Sequence, residues 1–147
     1  MKQYYYNCFL LTILTFFIAG ENIFVKIYQK EKAIAPGESG TLLIKITPLD
    51  ENILINLEPP IELNLEKNAP IILKNSNITE KLKENNPSKY LDTSSPLEVE
   101  FKLKKNIKPG KTKMKGKITF FYCHKIEGWC MMKEDSVEFT INVSKKN

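Results

Sequence analysis

Apolar residues recur at every second position along six stretches of this chain, a period that suits a β-strand with one buried face. The clearest run is Leu97, Val99, Phe101 and Leu103, set against Glu98, Glu100, Lys102 and Lys104. Leu42, Ile44 and Ile46 alternate with Thr41, Leu43, Lys45 and Thr47. Ile53, Ile55 and Leu57 repeat the pattern until Pro59-Pro60 stops it, and Ile61, Leu63 and Leu65 run against Glu62, Asn64 and Glu66. Ile118, Phe120 and Tyr122 form a fifth run, and Val137, Phe139, Ile141 and Val143 a sixth. Successive side chains of a strand point to opposite faces, so each run offers one apolar face to a core.

Turn chemistry separates the runs: Pro36-Gly37-Glu38-Ser39-Gly40, Pro59-Pro60, Asn85-Asn86-Pro87-Ser88 and Lys108-Pro109-Gly110-Lys111. Helical periodicity is confined to a turn at residues 79–84. The irregular stretch 75–95 is expected to form a long loop over one end. Short strands at turn-separated intervals predict an all-β fold, an immunoglobulin-like β-sandwich.

The chain opens on a segment of another kind. In residues 1–20 the only charge is Lys2, and residues 8–19 (CFLLTILTFFIA) are almost wholly apolar. Ala19 and Gly20 are small, as the residues before a cleavage point ahead of Glu21 should be. The expectation is a signal peptide over 1–20, with an uncleaved anchor beginning near Tyr4 as the alternative. Export would place residues 21–147 in a periplasmic or secreted setting, as a single domain of 127 residues, long enough for a real core. Losing Lys2 lowers the formal charge from +5 to +4. Lys111, Lys113, Lys115 and Lys117 share one strand face, read as solvated and as a guard against edge-to-edge association. The chain has no arginine, which argues against a nucleic-acid surface. It also lacks a phosphate loop, a dinucleotide fingerprint and a Ser-His-Asp arrangement, and no cofactor is expected.

Cys8 leaves with the leader, so the mature chain keeps two cysteines in Cys123-His124-Lys125-Ile126-Glu127-Gly128-Trp129-Cys130. Two thiols this close, in an oxidising compartment, form either a structural staple or a redox couple. A hairpin can bring them within bonding distance, and closing an eight-residue loop is worth about 2–3 kcal/mol on the chain-entropy account. For exchange, one sulfur must be exposed and have thiolate character. His124 and Lys125 would lower the pKa of Cys123, and Glu127 would oppose them. A Cys–His nucleophile is disfavoured, because adjacent strand residues point to opposite faces. Trp129 either packs the hairpin on the sandwich or covers the sulfur of Cys130. Cys123, Cys130, Met131 and Met132 also gather soft ligands, which suit Cu(I), whereas zinc would want a further strong ligand. Asn77-Ile78-Thr79 and Asn142-Val143-Ser144 match the glycosylation acceptor pattern, meaningful only in a eukaryotic secretory pathway.

One further reading rests on resemblance. Ala35-Pro36-Gly37-Glu38-Ser39-Gly40-Thr41-Leu42, then Ile55-Asn56-Leu57-Glu58-Pro59-Pro60, then Ile107-Lys108-Pro109-Gly110 before a Cys-loop-Cys hairpin, occur in order between about Ile34 and Val143. This succession resembles the N-terminal periplasmic domain of the thiol:disulfide interchange protein DsbD and related modules. The resemblance implies an immunoglobulin-like sandwich whose Cys123 and Cys130 are the redox pair of a thiol-disulfide oxidoreductase component. It further implies electron transfer between a membrane reductant and thioredoxin-like partners. Members of that family shield the pair with an aromatic-bearing cap loop. The corresponding residues here, 79–87, hold no aromatic, which leaves Tyr90 or Trp129 as a substitute. The alternative from another class is a binding module whose disulfide only pins the hairpin.

Overall fold

A computed structural model of the protein describes residues 23–79, 82 and 88–145. The expected leader, most of the turn at 79–84 and most of the cap-loop counterpart lie outside them. The described residues form eight strands: β1 (Ile23–Gln29), β2 (Ser39–Pro48), β3 (Ile53–Ile55), β4 (Glu62–Leu65), β5 (Ile71–Leu73), β6 (Leu97–Leu103), β7 (Gly110–His124) and β8 (Cys130–Val143). All the pairings between strands are antiparallel.

One sheet runs β1-β2-β6-β5. In the other, β7 carries β8 on one side and β3 and β4 on the opposite side. Counting β3 and β4 as one interrupted strand gives the ABED and CFG sheets of a seven-stranded immunoglobulin sandwich. The interruption is a register slip. From Ile55 opposite Tyr122 to Glu62 opposite Thr119 the chain advances seven residues while β7 retreats three, so four residues are extruded. The excursion contains Pro59-Pro60, where the alternation was seen to stop. Proline has no N–H for the ladder, so a strand is forced outward there.

The two inner faces meet in a core of Ile, Leu, Val and aromatic side chains, among them Leu42, Ile44, Phe101, Ile118, Phe120 and Tyr122. These are the residues whose alternation marked the strands. Antibody domains bridge their two sheets with a disulfide through such a core. Here apolar side chains fill the middle, and the cysteines sit at one end of the β7–β8 hairpin. Two strands were absent from the sequence reading. β1 alternates Ile23, Val25 and Ile27 with Phe24, Lys26 and Tyr28, but its outer face carries two exposed aromatics that blur the contrast. β5 is three residues long, too short for a period to register.

The chain covers most of the second sheet's edges itself. Ile78 N–H bonds to Ile61 O and Leu63 N–H to Ser76 O, while Leu57 N–H bonds to Lys89 O and Leu91 N–H to Ile55 O. These four bonds lay residues 76–78 and 89–91 along the outer edge of β4 and β3. On the far edge, Ile34 N–H bonds to Asn142 O and Ser144 N–H to Ile34 O, closing the C-terminal end of β8.

Candidate functional site

Cys123 ends the long strand β7, Cys130 opens β8, and the two are direct partners in the ladder, joined by a disulfide. The bond sits at the turn end of a ladder that continues from this pair down to Gly110 opposite Val143. The direction of the backbone bonds fixes what kind of pair it is. Asn56 N–H bonds to Phe121 O and Lys125 N–H to Asn52 O, both at 2.8 Å, so odd-numbered residues at this end of β7 bond towards β3. The even-numbered His124 bonds towards β8, its N–H to Trp129 O at 2.8 Å. Cys123 and Cys130 therefore form a non-hydrogen-bonded pair, the narrow kind in an antiparallel ladder, with Cα atoms 4.0 Å apart.

The disulfide lies on the outer face of the sheet. Phe120 and Tyr122 are fully buried on the core side, and the intervening Phe121 and Cys123 are half-buried on the other. Cys130 is exposed. Cys123 is thus the more shielded residue of the pair and Cys130 the more exposed one. The Oδ1 atom of Asn56, in the excursion after β3, lies 3.4 Å from Cys123 Sγ. A disulfide sulfur has no hydrogen to give, but a reduced Cys123 thiol would donate to that oxygen. Tyr90 forms a bridge opposite Asn56, which puts this exposed aromatic two strands away from Cys123 in the same sheet.

The other candidate residues separate by face. His124 and Trp129 turn to the side opposite the disulfide. The Trp129 indole meets Tyr122 edge-on with ring centroids 5.8 Å apart and lies 5.3 Å from the His124 ring. Trp129 therefore closes the end of the core, the packing alternative for this residue, and its Nε1 donates to the Glu127 carboxylate. His124 is tied down from two sides: Nδ1 accepts from the Glu127 N–H at 3.1 Å, and Nε2 lies 3.4 Å from Asp50 Oδ2. Asp50 is held below the usual carboxylate range first by the Asn52 backbone N–H, then by the Asn52 side-chain amide and by His124. Lys125 is exposed in the turn, which Gly128 completes with φ +74°.

The same alternation divides the methionines. Met131 lies on the core side, its Sδ 3.8 Å from the Tyr122 hydroxyl, which donates to it. Met132 stands on the disulfide face opposite Phe121. The two thioethers do not converge on the cysteines, so the four-ligand Cu(I) set is divided between two faces. Among the described residues no group of three or more His, Cys, Asp or Glu side chains is placed to hold a metal ion. Asn56 and the edge of β8 carry no sequence signal of their own; their relation to the cysteines arises from register. The chain matches no protein-family model and no curated relative.

Proposed function

We propose that the protein is an exported thiol-disulfide exchange domain acting through Cys123 and Cys130, in the manner of the DsbD N-terminal module. The observation that carries this reading is the asymmetry of the pair, with Cys130 in solvent and Cys123 half-buried. Exchange needs in-line access to one sulfur and a second sulfur kept close to resolve the intermediate. Cys130 is then the sulfur that meets the partner. Its thiolate attacks a partner disulfide, forms a mixed disulfide and expels one partner thiolate. Cys123, held opposite by the ladder, attacks Cys130 Sγ, releases the second partner thiolate and restores the internal bond. The partner gains two electrons, and the run in reverse oxidises a partner dithiol. A membrane reductant and a thioredoxin-like client are the partners the DsbD likeness supplies, and a periplasmic or secreted location follows from the leader.

A purely structural staple is the weaker reading. The hairpin is already held by a continuous ladder from Gly110 to Cys123, and a core-spanning position, where antibody domains keep theirs, is filled with apolar side chains. The test is trapping. Reduced Cys123→Ser, incubated with glutathione disulfide, is expected to accumulate a mixed disulfide at Cys130 about tenfold faster than Cys130→Ser does at Cys123. Equal rates, or no adduct in either variant, would contradict the assignment.

A further inference from the structure

Among the described residues, the edge of β8 beside the exposed Cys130 has no partner strand. Since even-numbered residues of β7 bond to β8 through Trp129 and its odd-numbered successors, the even-numbered residues of β8 turn their N–H and C=O groups away from β7. At the C-terminal end this outward row is in use, with Asn142 and Ser144 bonded to Ile34. Among the described residues no strand pairs with it along residues 130–134, where Cys130, Met132 and Glu134 present the outward groups, whereas from Asp135 onward β1 flanks β8 across a shallow cleft. The opposite edge of the same sheet is covered by residues 76–78 and 89–91. The open stretch therefore coincides with the site.

We propose that residues 130–134 form a docking edge on which an extended, cysteine-bearing segment of a partner protein adds as an antiparallel strand, its cysteine opposite Cys130. This rests on the exchange reading above and names the kind of partner it takes. Cys130 would be in a hydrogen-bonded pair with the incoming residue, because its free groups point that way. Such pairs hold Cα atoms about 5.5 Å apart, which is also the commonest Cα separation of a disulfide. Strand addition thus sets the partner cysteine beside Cys130 with both side chains on the outer face, and a small shift of the incoming strand closes the two sulfurs to bonding distance. Antiparallel direction sets the rest of the register: the partner residue two positions before its cysteine falls opposite Met132. Met132 is 59% exposed on the disulfide face, so an apolar side chain fits there. Main-chain bonds then supply affinity and the Met132 contact supplies selectivity. In the covalent step the partner thiolate attacks Cys130 Sγ and the Cys123–Cys130 bond breaks. Cys123 leaves as a thiolate that takes a proton from water. A second partner thiol then displaces Cys130, so the partner is oxidised to a disulfide as this chain is reduced.

The probe is the reduced peptide Thr-Thr-Leu-Thr-Cys, capped at both ends, reacted with the oxidised protein alongside glutathione, with rates compared per thiolate. The peptide is expected to open the disulfide roughly tenfold faster than glutathione, the effect of one or two net hydrogen bonds. N-methylation of its Leu, whose N–H would face Met132, should abolish the advantage, whereas N-methylation of the following Thr, whose N–H faces away, should leave it. Met132→Pro, which removes an N–H that the β7–β8 ladder does not use, should lower the ratio of peptide to glutathione rates by a similar factor. Glutathione opening the bond as fast as every peptide would overturn the docking edge and leave the exchange reading standing. A disulfide inert to both would overturn the two together.

Discussion

Single residues at this site take their roles from which side of a strand they occupy. His124 and Trp129 adjoin the cysteines in sequence yet serve the core, and Asn56, sixty-seven positions from Cys123, reaches its sulfur. Asp50 has a comparable reach. It accepts the Asn52 N–H at 2.8 Å, and that turn in turn accepts the Lys125 N–H, which braces the cysteine hairpin. Because its pKa is lowered in the folded state, its contribution is complete above the unfolded value near ~4 and is lost as pH falls through the lower folded value. Hydrogen-exchange protection of the Lys125 amide is accordingly expected to decline below about pH 4. In Asp50→Ala that amide should exchange several-fold faster at neutral pH. Exchange at the wild-type rate would show that the turn does not depend on the carboxylate.

At the level of elements, the interrupted strand is the least ordinary part of the fold. The four extruded residues would leave backbone groups without ladder partners, and Thr79 answers two of them. Its buried hydroxyl accepts the Ile61 N–H at 2.9 Å and faces the Leu57 carbonyl at 3.4 Å. Thr79→Val keeps the shape and removes both bonds, leaving a buried N–H unsatisfied, at an expected cost of about 1–3 kcal/mol. Urea unfolding would measure it, and a midpoint equal to the wild type would count against the role. Most elements were legible beforehand for a plain reason. Strands β2, β4, β6, β7 and β8 each have one face in the core and one in water, and the alternation is the record of that difference. β1 was not legible because Phe24 and Tyr28 make its outer face apolar as well, and β5 because three residues hold no period. The cysteine pair could be read as a bonded pair from spacing alone. Its face, its hydrogen-bonding parity and the free edge beside it could not, because these depend on which strands lie alongside, and Asn52, Asn56 and Ile34 are remote in sequence.

Across the whole molecule, the sandwich is a frame that carries a disulfide at one end. Apolar side chains of both sheets fill the core from Ile23 to Val143. The chain-entropy value of closing an eight-residue loop is about 2–3 kcal/mol. On the proposed exchange reading, a bond with Cys130 exposed and an edge of β8 beside it is suited to be made and broken. That is the central claim, and equilibrium redox chemistry tests it most directly. The measurement is the reduction potential of the Cys123–Cys130 pair, equilibrated in glutathione buffers and read by thiol trapping. The account predicts a value of roughly −120 to −270 mV, the range of exchange proteins. A value below about −300 mV, typical of disulfides that resist the glutathione pool, would contradict it and make the bond a structural one.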